Sequence, residues 1–393
     1  MQSRQGEKVK GAAEVGNWVR RRIRTRTREG IVGRNIILCF DGTNDEYSAV
    51  HTNVVRLYTL LDRNRTDQLA YYQPGIGTFA PAGIWGRTKR RVFSQIDLAI
   101  GWFLKEHVTC GYRFLMRYYQ PSDNIFIFGF SRGAYTGRVL VAMLNRVGLL
   151  TAGNEELIAF AWKKYRTDDP KIVGKFRESF SRPVKVRFIG VWDTVSSIGW
   201  PWRPRHLPYT GGDPSSELHY HSGPEHPSAA EVTRHAMALD ERRGYFAPDL
   251  WLFGPADSDI LQVWFPGVHS DVGGGYEGLP SLSMISLKWM VREAEQAGVH
   301  FLQEKLKDSH LNDPLNVTAK MHESLTGVWR IVDFLPQRIV PRGGQPYWTI
   351  HRGKSRTVPN ETYIHESVFE RQQRVPDYRP ENITQNSSYK VVG

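Results

Sequence analysis

The stretch Asn124-Ile-Phe-Ile-Phe-Gly-Phe-Ser-Arg-Gly133 joins an apolar run of strand length to a serine that stands between two glycines. Where a strand turns sharply into a helix, glycines are needed two places before and two places after the serine, because larger side chains would collide with neighbouring backbone. Residues 134–144 continue with a helix-like pattern, and this context matters because Gly-x-Ser-x-Gly alone is common. The sequence therefore predicts a strand–turn–helix that presents the hydroxyl of Ser131 as a candidate nucleophile.

Apolar runs of strand length alternate with helix-like patterns along the chain. Three further runs end directly before a polar residue: 35–40 before Asp41, 184–192 before Asp193 and 260–268 before His269. Helical periodicity is found at 53–61, 96–118 and 281–296. This alternation is typical of a parallel sheet covered by helices, with the functional site along the carboxyl edge of its strands. We therefore expect an α/β fold of the α/β-hydrolase type, with a mostly parallel sheet flanked by helices.

Ser131, Asp193 and His269 occur in the chain order that α/β-hydrolases use for a catalytic triad. A serine hydroxyl is a weak nucleophile unless an imidazole takes its proton, and the imidazole needs a carboxylate to hold its tautomer and stabilise its cation. His269 leaves a strand into a glycine-rich loop, which can bring its ring beside the serine. Asp193 closes an apolar run, where a carboxylate is costly unless it is hydrogen-bonded. We predict that these three residues form the catalytic group.

Two other residues compete for the roles of the base and the acid. His235 lies in 231–240, which has a helical pattern, and we expect it to pack in the core. Asp271 stands two residues after His269, so it either replaces Asp193 as the acid or holds its own loop in place.

Acyl transfer also requires main-chain donors for the negative charge that develops on the carbonyl oxygen. The N–H of Arg132 supplies one donor, because it follows the nucleophile. The loop after the first strand supplies the second, through Gly42 or Thr43. Asp41 and Asn44 flank these two residues, and we expect them to brace the loop.

Two other classes of function fit parts of the same residue set. A metal-dependent phosphoesterase would use Asp41, Asp193, His269 and Asp271 as ligands, a set that suits a metal ion by residue type but leaves Ser131 unexplained. A binding module on a hydrolase scaffold would not use the chemistry at all. A phosphotransferase with an aspartyl nucleophile is disfavoured, because Cys39 stands where that aspartate would be. The serine mechanism requires neither a metal nor a cofactor.

The 393 residues are divided by charge and composition into an expected arm, a domain and an extension. Residues 1–30 are rich in arginine and predict a flexible basic arm, while 31–340 predict one α/β-hydrolase-like domain. Within the domain, 196–228 is dense in proline, glycine and tryptophan, which suits either a lid or a decorated surface loop. Residues 341–393 are polar and weakly periodic, and predict a partly irregular C-terminal extension.

The net charge of +12 favours anionic partners, and the basic residues 1–30 suit peripheral contact with an anionic membrane, contact with nucleic acid, or a solvated, disordered state. Nothing in the sequence indicates specific nucleic-acid binding. The chain shows neither a transmembrane segment nor a cleavable signal, and its two cysteines cannot build a disulfide framework. We therefore expect a cytoplasmic protein, or one exported without such a signal. The expected substrate is an ester or a lipid, and the oligomeric state is left open.

With these residues assembled, the sequence resembles the uncharacterised α/β-hydrolase family that includes the type VI secretion phospholipase effectors. The matching blocks are residues 40–44 with 52–54, 75–77, 129–135, 190–195, 235–242 and 264–276. The resemblance implies an ester hydrolase with a Ser-Asp-His triad, in which Ser131, Asp193 and His269 occupy the matching blocks. For the effector branch of the family it implies a phospholipid substrate.

Overall fold

The computed structural model describes residues 33–42, 51–75, 89–167, 169–195, 230–251, 259–278, 281–309, 311, 316–339, 347–383 and 388–393. The predicted arm 1–30, Thr43, Asn44 and the insertion 196–228 lie outside these residues.

The strands in chain order are β1 Asn35–Phe40, β2 Gln68–Gln73, β3 Asn124–Phe130, β4 Leu149–Leu150, β5 Ser181–Arg182, β6 Val186–Trp192, β7 Ala230–Ala238, β8 Asp259–Phe265, β9 Gln337–Ile339, β10 Tyr347–Thr349, β11 Thr362–His365 and β12 Tyr389–Val392. The helices are α1 Asn53–Leu60, α2 Lys89–Tyr118, α3 Ser131–Val147, α4 Ile158–Tyr165, α5 Pro170–Phe180, α6 His269–Gly273, α7 Ser283–Gln296, α8 Gln303–Asp308, α9 Val328–Asp333 and α10 Glu366–Arg374.

Eight of these strands form one sheet in the order β12-β11-β8-β7-β6-β3-β1-β2, and every neighbouring pair is parallel. Its central strands are buried on both faces, which explains why β1 and β3 are continuous apolar runs rather than alternating ones. One face packs under α3 and its neighbours α2, α4 and α5, and the other packs under α1 and α7. The expected α/β-hydrolase-like fold, with a parallel sheet flanked by helices, is confirmed.

The strand order reverses at β1, and this reversal locates the crevice of the sheet. After β1 the chain forms β2 on one side and then returns to place β3 on the other side. In open parallel sheets, ligands bind at the carboxyl ends of the strands where the order reverses. Asp41 follows β1 and Ser131 follows β3, so both residues stand at this crevice.

The helix predicted over 231–240 is wrong. This stretch forms β7, which is hydrogen-bonded between β6 and β8 and is buried from Thr233 to Ala238. Alanine, methionine, glutamate and arginine favour a helix locally, but a position inside a sheet overrides that modest preference. His235 is fully buried in this strand.

The segment expected as a C-terminal extension contributes to the main sheet. Strands β11 and β12 extend the sheet beyond β8 with parallel pairing, and α10 follows β11. A buried arginine from the same segment, Arg356, reaches the carboxyl edge of the sheet. Where a domain boundary falls in this part of the chain stays a prediction.

We predict that Gly133→Ala destabilises the fold. A methyl group at residue 133 would lie 2.2 Å from the carbonyl oxygen of Phe40 and 2.5 Å from that of Asp41, both backbone atoms that cannot swing away. Overpacking of this kind costs about 1–3 kcal/mol or more. The matched control is Gly174→Ala in α5, where the added methyl group meets nothing within 4 Å. Alanine inside that helix should stabilise by about 0.5–1 kcal/mol. Urea unfolding of both variants measures the difference, and equal stabilities would contradict the close contact between α3 and β1.

Candidate active site

Ser131 occupies a sharp turn between β3 and α3. Its φ of +55° is in the left-handed region, which residues other than glycine adopt only at a cost. A methyl group at residue 129 would lie 2.7 Å from backbone atoms of Ala134, so glycine is required on this side of the turn as well. The turn therefore holds the serine out of the strand direction, with 8% of the residue's surface exposed.

His269, which follows β8 at the carboxyl edge of the sheet, brings its imidazole to the serine. It is the first residue of α6, after a turn in which Gly267 has a φ of +109°. Its Nε2 lies 2.9 Å from Ser131 Oγ. The imidazole packs between two aromatic rings, with centroid distances of 4.6 Å to Phe130 and 4.9 Å to Phe246. These contacts fix the ring plane and leave 5% of the residue exposed.

Asp193 lies on the other side of the imidazole and is fully buried. Its Oδ2 lies 2.5 Å from His269 Nδ1, and its Oδ1 accepts a hydrogen bond of 3.0 Å from the N–H of Ala238. The residue follows β6 with a φ of +37°, a second left-handed backbone at this edge of the sheet. The structure therefore brings the three predicted residues into one hydrogen-bonded chain, from Ser131 through His269 to Asp193.

The sequence analysis missed a fourth residue, Arg356. Its Nη1 donates to Asp193 Oδ1 at 2.6 Å, and its Nη2 donates to Oδ2 at 3.0 Å. The same guanidinium donates to the carbonyl oxygens of Ala238 and Phe246. A bidentate pair of this kind is the strongest contact that a carboxylate makes with a side chain. Arg356 thus contacts both carboxylate oxygens of Asp193, including the oxygen that faces His269.

Burial and charge decide the protonation states of Asp193 and His269. Burial alone would raise the pKa of Asp193, but the Arg356 guanidinium and the hydrogen bond to His269 outweigh it and hold the pKa far below its usual range. Burial lowers the pKa of His269, and the adjacent Asp193 offsets this only in part. At neutral pH the carboxylate is therefore ionised and the imidazole is uncharged, as a general base must be.

Asp41 and Gly42 lie where the loop after β1 begins. The Asp41 carboxylate accepts hydrogen bonds from Thr52 Oγ1 at 2.8 Å and from the Tyr72 hydroxyl at 2.7 Å. It also accepts the N–H of Gly42 at 2.7 Å, so in this structure that amide donates to a carboxylate. The main-chain N–H of Arg132 lies in the first turn of α3, where amides have no acceptor within the helix. Of the two amides, that of Gly42 is thus already bonded to a carboxylate, and the role of either as an oxyanion donor stays a prediction.

The rival residues have other partners. Asp271 Oδ2 accepts the main-chain N–H groups of Val268 at 3.2 Å and His322 at 3.0 Å, while its Oδ1 lies 2.7 Å from His322 Nδ1. His235 Nε2 accepts the N–H of Thr194 at 3.1 Å, and burial lowers the pKa of this imidazole to about 3. Asp271 therefore ties the His269 loop to the segment around 322. His235 supports the residue after Asp193 as a neutral ring.

The metal-ligand set considered for a phosphoesterase is not assembled. Within the part of the chain that the structure describes, no group of three or more His, Cys, Asp or Glu side chains is placed to hold a metal ion. Asp193 is enclosed by Arg356 and His269, while Asp41 is bonded to Thr52 and Tyr72.

A family model described as "T6SS, Phospholipase effector Tle1-like, catalytic domain" matches residues 34–293. The chain belongs to this family. The match contains Ser131, Asp193 and His269 together with the strands that carry them. The family resemblance inferred from the sequence blocks is thereby confirmed.

Three similar proteins put this match in context. An uncharacterised protein of Saccharomyces cerevisiae is 37% identical over 233 residues, which cover 54% of this chain and 32% of the yeast protein. A crystal structure of an uncharacterized protein from Pseudomonas aeruginosa aligns at 21% identity and a TM-score of 0.40, covering 68% of this chain and 46% of that one. The Tle1 effector bound to the VgrG spike of the type VI secretion system aligns at 21% identity and a TM-score of 0.36, covering 64% and 52%. The chain thus spans about a third of the yeast relative and about half of each solved chain.

Arg356 lies outside the matched residues 34–293, although it contacts the acid of the triad. Its neighbours, Lys354, Ser355 and Thr357, form a polar stretch with no periodicity. No local sequence pattern therefore distinguishes Arg356 from the exposed arginines and lysines of the chain. Only the folded arrangement assigns it to Asp193.

We expect Arg356→Gln to raise the pKa of His269. In the native protein this imidazole titrates below the ordinary value of 6.5. Without the guanidinium, the full negative charge of Asp193 acts on the ring and favours its protonated form. Arg356→Lys keeps a cation and should leave the pKa closer to that of the native protein. Nuclear magnetic resonance of the imidazole nitrogens during a pH titration measures both, with circular dichroism as the check of folding. An unchanged pKa in folded Arg356→Gln would show that this pair does not tune the base.

Proposed function

We propose that this protein hydrolyses carboxylic esters of lipids, with a phospholipid-type substrate, through Ser131, His269 and Asp193. The observation that carries the proposal is the hydrogen-bonded chain of these three side chains at a strained strand-to-helix turn. Membership of a family described by a phospholipase catalytic domain supports an ester of a lipid as the substrate.

In the first half of the proposed reaction, Ser131 Oγ attacks the ester carbonyl carbon while His269 Nε2 takes the hydroxyl proton. The negative charge moves to the carbonyl oxygen, where the N–H of Arg132 is the proposed donor and Gly42 or Thr43 the proposed second donor. His269 then returns the proton to the leaving alcohol oxygen, and the ester bond breaks to leave an acyl-serine.

In the second half, water replaces the alcohol. His269 accepts a proton from this water, whose oxygen attacks the acyl carbon, and the collapse of the intermediate returns the proton to Ser131 Oγ. The products are the free acid and the original serine. Asp193 orients the imidazole and stabilises its cation in both halves, and Arg356 holds Asp193 in the required position.

The side chain of Arg132 supports an anionic substrate. Burial lowers the pKa of this guanidinium to about 10, so it remains a cation at neutral pH. Arg132 is partly buried, and no carboxylate among the described residues forms an ion pair with it, whereas Arg138, Arg234 and Arg356 each have a carboxylate partner. A partly buried cation without a counter-ion is destabilised, and a phosphate group would compensate it with the geometry that guanidinium prefers. Arg132 follows the nucleophile directly, so we propose that it binds the phosphate of the lipid headgroup.

We expect Ser131→Ala to abolish hydrolysis of both a soluble short-chain ester and phosphatidylglycerol, with at least about a thousandfold loss of kcat. The matched control is Ser179→Ala, which removes an exposed hydroxyl from α5 and should retain full activity. Labelling with a fluorophosphonate probe adds a second readout, since only the activated serine should react. Equal turnover or equal labelling of native protein and Ser131→Ala would refute the serine mechanism. If Ser131→Ala retained turnover and chelators abolished it, a metal enzyme would be favoured instead.

We expect Arg132→Gln to reduce kcat/KM for a phospholipid relative to a neutral short-chain ester by about tenfold or more, as is typical of a lost hydrogen bond to a charged group. The main-chain N–H at residue 132 is retained in this variant, so activity on the neutral ester should fall less. Arg374→Gln, which removes an exposed cation at the end of α10, is the control and should change neither substrate's rate. An equal loss on both substrates would assign the guanidinium to structure rather than to the headgroup.

A further inference from the structure

Helix α9 exposes large apolar side chains that a helix normally buries. Trp329, Ile331 and Phe334 have 37%, 68% and 56% of their surface exposed, and all three lie within six residues. We call these three residues the α9 surface. Val332 and Asp333, at 7% and 1%, are the buried members of the same helix. A surface helix ordinarily buries its apolar residues and exposes its charges. Trp329 and Ile331 in α9, Phe334 directly after it and the buried Asp333 depart from this rule.

The buried carboxylate of Asp333 holds this helix in its orientation. The carboxylate accepts hydrogen bonds from the N–H of Gly244 at 2.7 Å, from the N–H of Gly353 at 2.5 Å and from His351, whose Nδ1 lies 2.9 Å away. These partners come from two separate segments of the chain. The exposure of the α9 surface is therefore fixed by buried polar contacts.

The α9 surface lies two ring contacts from the base of the triad. The Trp329 ring packs edge-on against Phe246 at 5.3 Å between centroids, and Phe246 packs edge-on against His269 at 4.9 Å. The guanidinium carbon of Arg243 lies 3.5 Å from the centroid of the Phe246 ring, so it packs on the ring that joins Trp329 to His269. The α9 surface therefore lies next to the candidate active site at its Trp329 end.

Exposed cations lie within α9 and in the segment that is hydrogen-bonded to its end. Arg330, Arg352 and Lys354 are exposed, and the main-chain N–H of Arg352 donates to the carbonyl of Asp333 at 3.1 Å, which places it beside α9. Asp333 is buried and bonded, so it does not neutralise these cations. Exposed apolar and aromatic side chains with adjacent arginines and lysines match the boundary between acyl chains and anionic headgroups. A soluble acidic partner would account for the cations but not for Ile331 and Phe334.

We infer that the α9 surface docks this protein on an anionic phospholipid bilayer. Trp329, Ile331 and Phe334 enter the boundary between headgroups and acyl chains, while Arg330 and Arg352 contact lipid phosphates. Docking would place the serine–histidine pair at the membrane surface where an ester substrate lies, and in this respect the inference rests on the proposed function. The surface lies outside the family match of residues 34–293, so it is a feature of this chain's own later segment.

The test measures binding separately from catalysis. Ser131→Ala protein is mixed with sedimenting vesicles of diether phosphatidylcholine, alone or with an equal part of diether phosphatidylglycerol, lipids that contain no ester bond. Adding Ile331→Glu should weaken binding to the mixed vesicles by about tenfold or more, because burial of one isoleucine is lost. Adding Arg330→Gln should weaken it about fivefold and reduce the preference for phosphatidylglycerol. Because both side chains are exposed, neither change should affect folding.

The control is Phe160→Glu, an equally drastic change at a side chain on α4 with 57% of its surface exposed. It should bind vesicles like the parent protein. Loss of binding in this control to the same extent, or unchanged binding in Ile331→Glu, overturns the inference. A parent protein that is dimeric in solution and becomes monomeric with Ile331→Glu also overturns it, since a second copy would then cover the surface.

Hydrolysis separates this inference from the proposed function. With the native serine, Ile331→Glu should retain kcat/KM on a soluble short-chain ester and lose activity on ester-lipid vesicles. A protein that binds vesicles but hydrolyses neither substrate would refute the proposed function and leave the docking surface intact. A protein that hydrolyses the soluble ester but does not bind vesicles would refute the docking surface alone.

Discussion

The burial of one carboxylate, Asp193, is the constraint on which the rest of the site depends. An ionised carboxylate with no exposed surface is stable only when charge and hydrogen bonds replace the water that it has lost. Here the replacement comes from three separate parts of the chain: the amide of Ala238 at the end of β7, the imidazole that begins α6, and the guanidinium of Arg356. Removal of one partner from a buried pair typically costs about 3–5 kcal/mol, so these segments are held together by the carboxylate they share. The same contacts that stabilise Asp193 orient the base.

The parallel sheet supplies the second requirement, which is a common edge. Because all neighbouring strands run in the same direction, the residues that follow β1, β3, β6 and β8 emerge on one side of the sheet. The strand order reverses between β1 and β3, and the turn after β3 is sharp enough to hold Ser131 at a positive φ. The backbone strain at Ser131 and Asp193 is compensated by the packing of glycine 133 against β1 and by the buried pair. A strained serine and a rigid, buried carboxylate thus face the same imidazole.

The chain combines two regions of different character around this edge. The family-matched residues 34–293 contain the serine, the acid and the base, whereas the later segment supplies Arg356 and α9. The first region accounts for the proposed ester chemistry. The second lowers the pKa of Asp193 through Arg356 and presents an apolar, cationic surface beside Phe246. Within the described residues, none of the helices combines the length and apolar character of a membrane span.

Local patterns in the sequence were sufficient to predict the elements that depend only on neighbouring residues. The apolar runs of β1, β3, β6 and β8 and the spacing of Gly129, Ser131 and Gly133 follow from short-range rules of sterics and burial. Chain order added the prediction that Ser131, Asp193 and His269 belong together, because parallel strands deliver their carboxyl ends to one edge. The prediction failed at β7, where residues with helix-favouring side chains are buried in the middle of the sheet. There the hydrogen bonds to two neighbouring strands outweigh a preference of less than about 1 kcal/mol per residue.

By itself, the sequence determined the apolar strands β1, β3, β6 and β8 and the strained serine turn, since these depend on side chains close together in the chain. The residues of the candidate triad followed from the order in which those strand ends occur. Only the tertiary structure decided that Arg356 pairs with Asp193, that Asp271 bonds to His322, and that α9 turns its apolar side chains outward. These features depend on contacts between residues dozens to more than a hundred positions apart. Their energy comes from burial and charge compensation, which no local pattern records.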